Sequence, residues 1–595
     1  MSRVGRWVLR GTGGALVGGG LGGAYAYSWA KSTMGEEAVG RLLDFYEVAL
    51  PATCEYKWLE AKCESLPKVA PFLFPPVTDE EELAQFQVLH RKWAKPTFDK
   101  CMKLGGFYYK NGQKIASNQG GIFPKFYQDL FQPFLNDLPP RPFAEVKATL
   151  EEELGGPVES VFQSVTETPV GVASIGQAHR AQLKDGTRVI VKVQNPTAER
   201  YFRGDVFALK TLMDIFMPQL SPAFDEMEKQ FATEFDYRGE AKNGTDVRAN
   251  LAKAGWLDKN ILVPKNHDKY CTRRVMVMEE IHPSIPLHTA LERQLEALAR
   301  QRGMSKEAII EEETQKIEAE AKEAALTGKL QRTLSSGTYD KFIALQRSKR
   351  GVLKLWALTF NYTIGLGLPR SWKYDMSVVA DDVMVPINAA RLVDDLMAVH
   401  GHEVLVDGAF NTDPHPGNIL YVDSGQKLGL IDYGQVKRLT RDQRLEVCRT
   451  FVLIEAAMKL DPRANPKVDM AKHAKAKAAI VKRFQALGFE TEKMDPEVHY
   501  EMATVFMGRM DRTWIYPRNL PQWSDDLQAR DPMGDLKKVD YFIMINVATM
   551  MLRGLGEMLR QPRDLAKSWG PIAREALKKE GLLAPLDAEI KSWNE

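Results

Sequence analysis

Asp413 and Asn418 stand five positions apart in Asn411-Thr412-Asp413-Pro414-His415-Pro416-Gly417-Asn418, and an apolar stretch further on ends in Leu430-Ile431-Asp432-Tyr433-Gly434. These residue types suit phosphoryl transfer. That chemistry asks for one carboxylate to orient or deprotonate an acceptor, and for an amide oxygen and a second carboxylate to hold the divalent ions that bridge nucleotide phosphates. Asp413 fits the first role; Asn418 and Asp432 fit the second. Each segment alone is also an ordinary turn or strand end, because Asp, Gly and Pro favour turns for backbone reasons. Their order, with Asp432 nineteen residues after Asp413, selects the chemical reading.

Such a site needs a cation near the first phosphates and a backbone that can approach them. Arg188-Val189-Ile190-Val191-Lys192-Val193 reads as a β-branched strand that presents Lys192. Ahead of it, Pro169-Val170-Gly171-Val172-Ala173-Ser174-Ile175-Gly176-Gln177 supplies small residues whose amides could cradle oxygens. It is not the G-x-G-x-x-G loop of ordinary protein kinases. His400, His402 and His415 lack partners at zinc-ligand spacing and read as packing or surface histidines, with His415 shaping the Asp413 loop.

These motifs must be carried by a chain of 595 residues, too long for one compact core. Its 80 basic and 78 acidic residues nearly cancel, which removes the global electrostatic case for nucleic acid as a partner. Five widely spaced cysteines without a C-x-x-C pair argue against a disulfide framework and against a zinc site. Residues 35–100 and 96–152 read as helical, with breaks at Pro67, Pro71, Pro75, Pro76 and Pro139-Pro140. Short strands follow at 160–165, 178–183, 188–193 and 274–278. The Glu-, Lys- and Ala-rich stretch 291–384 reads as a charged helical insertion, and nearly everything beyond Thr440 as helix. Within the insertion, Leu353 to Ile364, with Trp356, Phe360 and Tyr362, is apolar enough to pack on a partner or on lipid, and burial in the chain's own fold is the first expectation.

Arg3, Arg6 and Arg10 recur at helical spacing with no acid before Glu36, the composition of an organelle-targeting presequence; a mitochondrion is the first expectation and a plastid the second. Gly11 to Ala30 carries no charge, and Gly14, Gly18 and Gly22 line one helical face. Two readings stand: a bilayer-crossing helix with a glycine ridge, or a leader that is cleaved or flexible.

Taken together, Lys110-Asn111-Gly112-Gln113, PVGVASIGQAHRA, VIVKVQNP, Glu234-Phe235-Asp236-Tyr237-Arg238-Gly239-Glu240-Ala241-Lys242-Asn243, DPHPGN and IDYG resemble the UbiB/ADCK family of atypical kinases, the aarF-domain proteins. The resemblance covers roughly residues 100–290 and 385–440. It implies an α+β, bilobal protein-kinase-like fold with a small-sheet N-lobe, a helical C-lobe and family-specific helical extensions. The expected division is a leader over 1–33, a helical region over 34–152, the N-lobe over 153–283, the C-lobe over 284–470 and a helical extension over 471–595. ATP and Mg²⁺ are the implied cofactors. Asp413, Lys192 and Glu240 are the implied catalytic residues, Lys192 pairing with Glu240. Gly171, Val172, Ala173, Ser174, Lys192, Met278 and Glu279 would meet the nucleotide, and Asn418 and Asp432 the metal. Lys110, Gly112 and Gln113 would form an extension over the site, held by Glu234 and Asp236.

The resemblance further implies a role in ubiquinone or other isoprenoid-lipid homeostasis at the mitochondrial inner membrane. The expected partners are a nucleotide, an isoprenoid lipid or its precursor, the membrane and a lipid-biosynthesis enzyme complex. Three features depart from the family pattern: Asn411 where a His is common, Gly171-Val172-Ala173-Ser174 in place of A-A-A-S, and the 291–384 insertion. Two other readings stand beside the atypical kinase or ATPase. One is a nucleotide-gated, lipid-binding scaffold without productive transfer; the other is a small-molecule kinase of the aminoglycoside-phosphotransferase type.

Overall fold

In the computed structural model, the described residues are 31–32, 36–116, 125–136, 138–216, 234–257, 259–327, 333–363, 374, 385–422, 426–463, 467–509, 512–518, 520–534 and 536–593. The expected leader and its Gly11–Ala30 segment lie outside them. The described chain forms two compact units. One contains the residues up to Gly239 together with His267–Glu280; the other contains Glu240–Asn266 and the residues from Ile281 onward.

The first unit is built on an antiparallel sheet. Its strands lie in the order Phe162–Val165, Gly176–Leu183, Arg188–Gln194 and Val275–Glu279, with Gly171–Val172 added beside Gly176–Leu183. Side chains alternate across a strand, so Val189, Val191 and Val193 all face one way. They pack with Val146 and Leu150 of the Phe143–Leu154 helix. Lys192, out of phase with those valines, is thereby turned to the opposite face. The helices Glu36–Glu60, Asp79–Leu104, Phe107–Ala116 and Ala198–Phe216 enclose a second core around Phe45, Phe107, Tyr108 and Phe202. Asp79–Leu104 starts from a capping box in which Thr78 and Glu81 satisfy each other's backbone amides.

The second unit holds one extensive core and two small sheets. Ile261–Leu262, Lys427–Leu430, Ile419–Val422 and Ile285–Pro286 form the first sheet, and Val436–Arg438 pairs with Ala409–Asn411 in the second. The Arg441–Ala457 helix runs through the core, burying Phe451, Val452, Leu453 and Ile454. The stretch expected as a C-terminal extension belongs to that same core: Phe484, Phe542 and Trp569 cluster with Leu396 and Phe451, and Trp569 Nε1 donates to Met397 O at 2.8 Å.

Two expectations are revised. The stretch 153–283 is shared between the units: Val247, Leu251, Ile261 and Val263 join the second core, and Ile261–Leu262 pairs in parallel with Leu428–Gly429. The insertion is helical as read, over Leu287–Arg302, Lys306–Thr327 and Ser336–Tyr362. Its apolar segment is buried only in part: Leu355, Trp356 and Tyr362 are exposed, Leu353 and Phe360 are half-buried, Ala357 is buried, and Ile364 lies outside the described residues. Among the described residues no helix is long and apolar enough to cross a membrane.

Candidate active site

A hairpin sets the spacing of the second unit's chemistry. Ile419–Val422 and Lys427–Leu430 pair antiparallel with Ile419 opposite Leu430, and Ile431 N donates to Asn418 O at 3.3 Å. Asn418 therefore stands beside the strand end that carries Asp432. The other small sheet continues the arrangement, with Asn411 opposite Val436. Thr412 donates twice to Gln435 O, from its amide at 2.9 Å and from its hydroxyl at 3.1 Å.

Asn411 joins the two motifs directly. Its Nδ2 donates to Asp432 O at 2.8 Å, and its Oδ1 accepts from Asp413 N at 2.9 Å. One buried amide thus ties the backbone of the Asp413 loop to that of the Asp432 segment. A neutral carboxamide offers donor and acceptor at once, which accounts for how the loop is held where the family commonly has His.

Beneath the loop, Glu403 is fully buried and its Oε2 accepts from Asn411 N at 3.3 Å. Burial pushes this carboxyl up to about 8, and the neighbouring Asp407 pushes in the same direction. Glu403 is a functional-site neighbour that sequence reasoning missed; its only signal is an acid followed by Val404-Leu405-Val406. His415 shapes the loop as expected, its Nδ1 accepting from Gly417 N at 3.0 Å, and burial holds its imidazole below the ordinary range. His400 is buried and bonded to Leu396 O at 2.9 Å, a packing histidine.

The Asp-Tyr-Gly segment is tied to the Tyr237–Lys253 helix. Asn243 Nδ2 donates to Tyr433 O at 3.2 Å, and Arg438 bridges Asn243 Oδ1 at 3.2 Å and Asp246 at 2.8 Å. Gly434 N donates to Asp432 Oδ1 at 3.0 Å. A Cβ on Gly434 would lie 3.3 Å from Asp432 Oδ1 and 3.6 Å from Glu240 Oε2, so two carboxylates converge on the bare side of this glycine. Converging carboxylates favour a cation between or beside them. Among the described residues no group of three or more His, Cys, Asp or Glu is arranged to enclose a metal. The set is instead a sparse one of hard oxygen donors, Asp432 and the Asn418 amide, which fits Mg²⁺ sharing its shell with phosphates and water.

In the first unit, Lys192 lies mid-strand, opposite Ala178 on one side and Met276 on the other. Gly171 and Val172 pair with Ala178 and Gln177, and Ala173 N donates to Gly176 O at 2.8 Å. The segment read as an amide cradle is thus a tight hairpin in which the Ala173 amide is already engaged. Ser174 is buried within it. Gly176 is required by close approach: a Cβ there would meet Val193 O at 2.4 Å. Met278 and Glu279 close the edge strand opposite Ile190 and Val189.

The extension is anchored near the same strand. Lys110 forms an ion pair with Glu234, and the Glu234 carbonyl accepts from Gln194 at 3.2 Å, two residues beyond Lys192. Gly112 packs against Phe134, and Gln113 Nε2 donates to Phe134 O at 3.1 Å. Asp236 differs from expectation. Its two oxygens take the Arg238 guanidinium at 2.9 and 2.6 Å, so it braces its own turn, and of the two acids Glu234 meets the extension. Lys192 belongs to the first unit and Glu240, Asp413, Asn418 and Asp432 to the second.

With this geometry in place, comparison with known proteins is specific. The ABC1 atypical kinase-like domain matches residues 134–321 and 377–463. An ABC1 family protein of Schizosaccharomyces pombe is 32% identical over 39% of this chain and 43% of its own length. AarF domain-containing protein kinase 1 of Mus musculus is 30% identical over 34% of this chain and 39% of its own. An aarF domain-containing protein kinase of Arabidopsis thaliana, described as chloroplastic, is 35% identical over 31% of this chain and 35% of its own. The chain spans less than half the length of each of these relatives. The match takes in the lysine strand, the hairpin before it and the Asp413–Asp432 segment, and on these residues the chain belongs to the UbiB/ADCK family of aarF-domain, atypical kinase-like proteins.

Proposed function

We propose that this chain is an atypical kinase or ATPase that binds Mg-ATP, with Asp432 and Asn418 as the metal ligands, Lys192 paired with Glu240 at the phosphates, and Asp413 as the group that orients or deprotonates an acceptor. The observation that carries this reading is the Asn411 clamp. It fixes the Asp413 loop and the Asp432 segment to each other before any ligand arrives, which is the preorganisation phosphoryl transfer depends on. Asp432 and Asn418 would hold Mg²⁺, which would supply positive charge against the negative charge that develops in phosphoryl transfer. The chain's own part is to hold Asp432 through Gly434 N, to hold Asn418 through the hairpin, and to keep the Asp413 backbone fixed by Asn411.

The extension supports a small or lipidic acceptor over a protein one. A helix bonded through Lys110 and Glu234 to the segment beside the lysine strand adds a wall that a bulky polypeptide would have to displace. An isoprenoid lipid or its precursor, in ubiquinone or related lipid homeostasis at an organelle membrane, is the substrate class proposed. The mitochondrial inner membrane is the proposed location and a lipid-biosynthesis assembly the proposed partner. The same wall supports a second reading, a nucleotide-gated scaffold that binds lipid without transfer.

Asp432→Asn in the purified full-length protein tests the first reading. Mg²⁺-dependent nucleotide binding and turnover are expected to be abolished, and unchanged binding and turnover would sink it. Nucleotide binding without turnover in the unaltered protein, with or without lipid vesicles, would favour the scaffold.

A further inference from the structure

Among the described residues, the Ser336–Tyr362 helix of the insertion is fastened near its start by Asn388 and Arg391 and at its end by Tyr374, which bonds Asn361 through its amide and its carbonyl. Asn388 Nδ2 donates to Ser336 O at 3.1 Å and to Asp340 Oδ1 at 2.9 Å, while Arg391 forms an ion pair with Asp340 at 2.5 Å. Ile343 and Ala357 are the buried residues of this helix. It also carries Phe342, Leu345, Val352, Leu355, Trp356 and Tyr362, recurring at three-, four- and seven-residue intervals, and all six are exposed; Val352 is 67%, Trp356 58% and Tyr362 73% accessible. A continuous stripe of this kind on a 27-residue helix is not the scatter of single apolar residues normal on a surface.

The charges on the helix identify what covers the stripe. Lys341, Lys349 and Lys354 are exposed along the helix, and its one acid, Asp340, is engaged by Arg391 and Asn388. A basic helix with an apolar face, carrying Trp and Tyr toward one end and too polar to cross a bilayer, matches the surface of an anionic membrane. An acidic protein groove would also meet the cations. Lipid is the better occupant because the stripe is long and ends in aromatic rings suited to the headgroup level.

We propose that Ser336–Tyr362 lies along an anionic phospholipid surface, its apolar stripe in the acyl boundary and its lysines at the headgroups. This deepens the membrane element of the reading above and rests on it in that respect alone, since it requires no nucleotide chemistry.

The test is co-sedimentation of the full-length protein with vesicles of phosphatidylcholine alone and of an equal mixture of phosphatidylcholine and phosphatidylglycerol. Binding is expected to the mixed vesicles and to weaken with salt. L345E/V352E/W356E should lower it by at least about tenfold, with the circular dichroism and melting temperature of the unaltered protein. K341Q/K349Q/K354Q, which leaves the stripe intact, should lower it by roughly fivefold per lysine. Quenching of Trp356 by brominated phosphatidylcholine, read as the difference from W356F, should appear only with the mixed vesicles. Three results would overturn the proposal: unchanged vesicle binding by the triple glutamate variant, as docking through the first thirty residues would give; equal binding of the unaltered protein to neutral vesicles; or lipid-independent self-association that the variant abolishes, which would assign the stripe to a second copy. Turnover without vesicles should be unchanged in the glutamate variant, and vesicle binding unchanged in Asp432→Asn, so the two readings fail separately.

Discussion

Replacing Asn411 by Ala removes one side chain that serves two backbones. Asp432 O loses a donor at 2.8 Å, and Asp413 N loses an acceptor at 2.9 Å, at a residue only 7% exposed. Leaving a buried polar group without its partner costs about 1–3 kcal/mol each, so roughly 2–4 kcal/mol is expected for the pair once partial relaxation is allowed. If the clamp holds the phosphoryl-transfer geometry, kcat/KM falls by about 30- to 1000-fold, at about 1.4 kcal/mol per factor of ten. Asn411→Asp separates the two bonds: the acceptor for Asp413 N remains, but a carboxylate now faces the Asp432 carbonyl among Asp413, Asp432 and Glu240. That variant should lose nucleotide turnover at least as severely as Ala. Chemical unfolding, with nucleotide binding by calorimetry and turnover by phosphate release, reads each effect. An Ala variant within about 0.5 kcal/mol of the unaltered protein, with turnover unchanged, would refute the clamp.

Glu403→Gln concerns acidity. The carboxyl is raised from an ordinary value of 4.5 to about 8 by burial, so the folded state holds its proton more tightly than the unfolded chain does. Its contribution is complete below the ordinary value and is lost as pH climbs toward 8. Between pH 5 and 7 it takes away roughly 2.5 kcal/mol, which the amide variant retains. Melting temperatures across that window should fall more steeply for the unaltered protein, and parallel profiles would refute the assignment. Gly112→Ala would place a methyl 2.6 Å from the ring of Phe134, itself held between Phe98 and Phe131. A loss of about 1–3 kcal/mol in thermal or chemical unfolding is expected. Gly40→Ala, in open helical space, should be neutral or stabilising by up to about 1 kcal/mol.

Local patterns in the sequence carried their information into the fold where one element is enough to decide the outcome. The alternation in VIVKV placed three valines inward and Lys192 outward, and the spacing from Asn418 to Asp432 is that of one hairpin. What resisted reading depends on distant chain. Glu240–Asn266 joins the second unit because Ile261–Leu262 pairs with a strand made much later in the sequence. The Pro169–Gln177 segment has the composition of a phosphate loop, yet its turn consumes the Ala173 amide. Trp356 and its neighbours are apolar enough for a core, and hydrophobicity alone does not say whether protein or lipid covers them. Asn411 was visible as a departure from the family, but that one amide would serve two motifs follows only from their juxtaposition.

The parallel pairing of Ile261–Leu262 with Leu428–Gly429 also orders events during synthesis. About 165 residues must be translated between the two partners, which at 5–20 residues per second takes roughly 8–30 s. Through that interval Val247, Leu251, Ile261 and Val263, all buried in the finished protein, have neither their sheet partner nor the Arg441–Ala457 helix they share a core with. A nascent chain of this length emerges with an apolar helix face waiting for its other half. Chaperone occupancy of ribosome-bound chains should therefore rise after residue 250 and fall once the Arg441–Ala457 helix has cleared the exit tunnel.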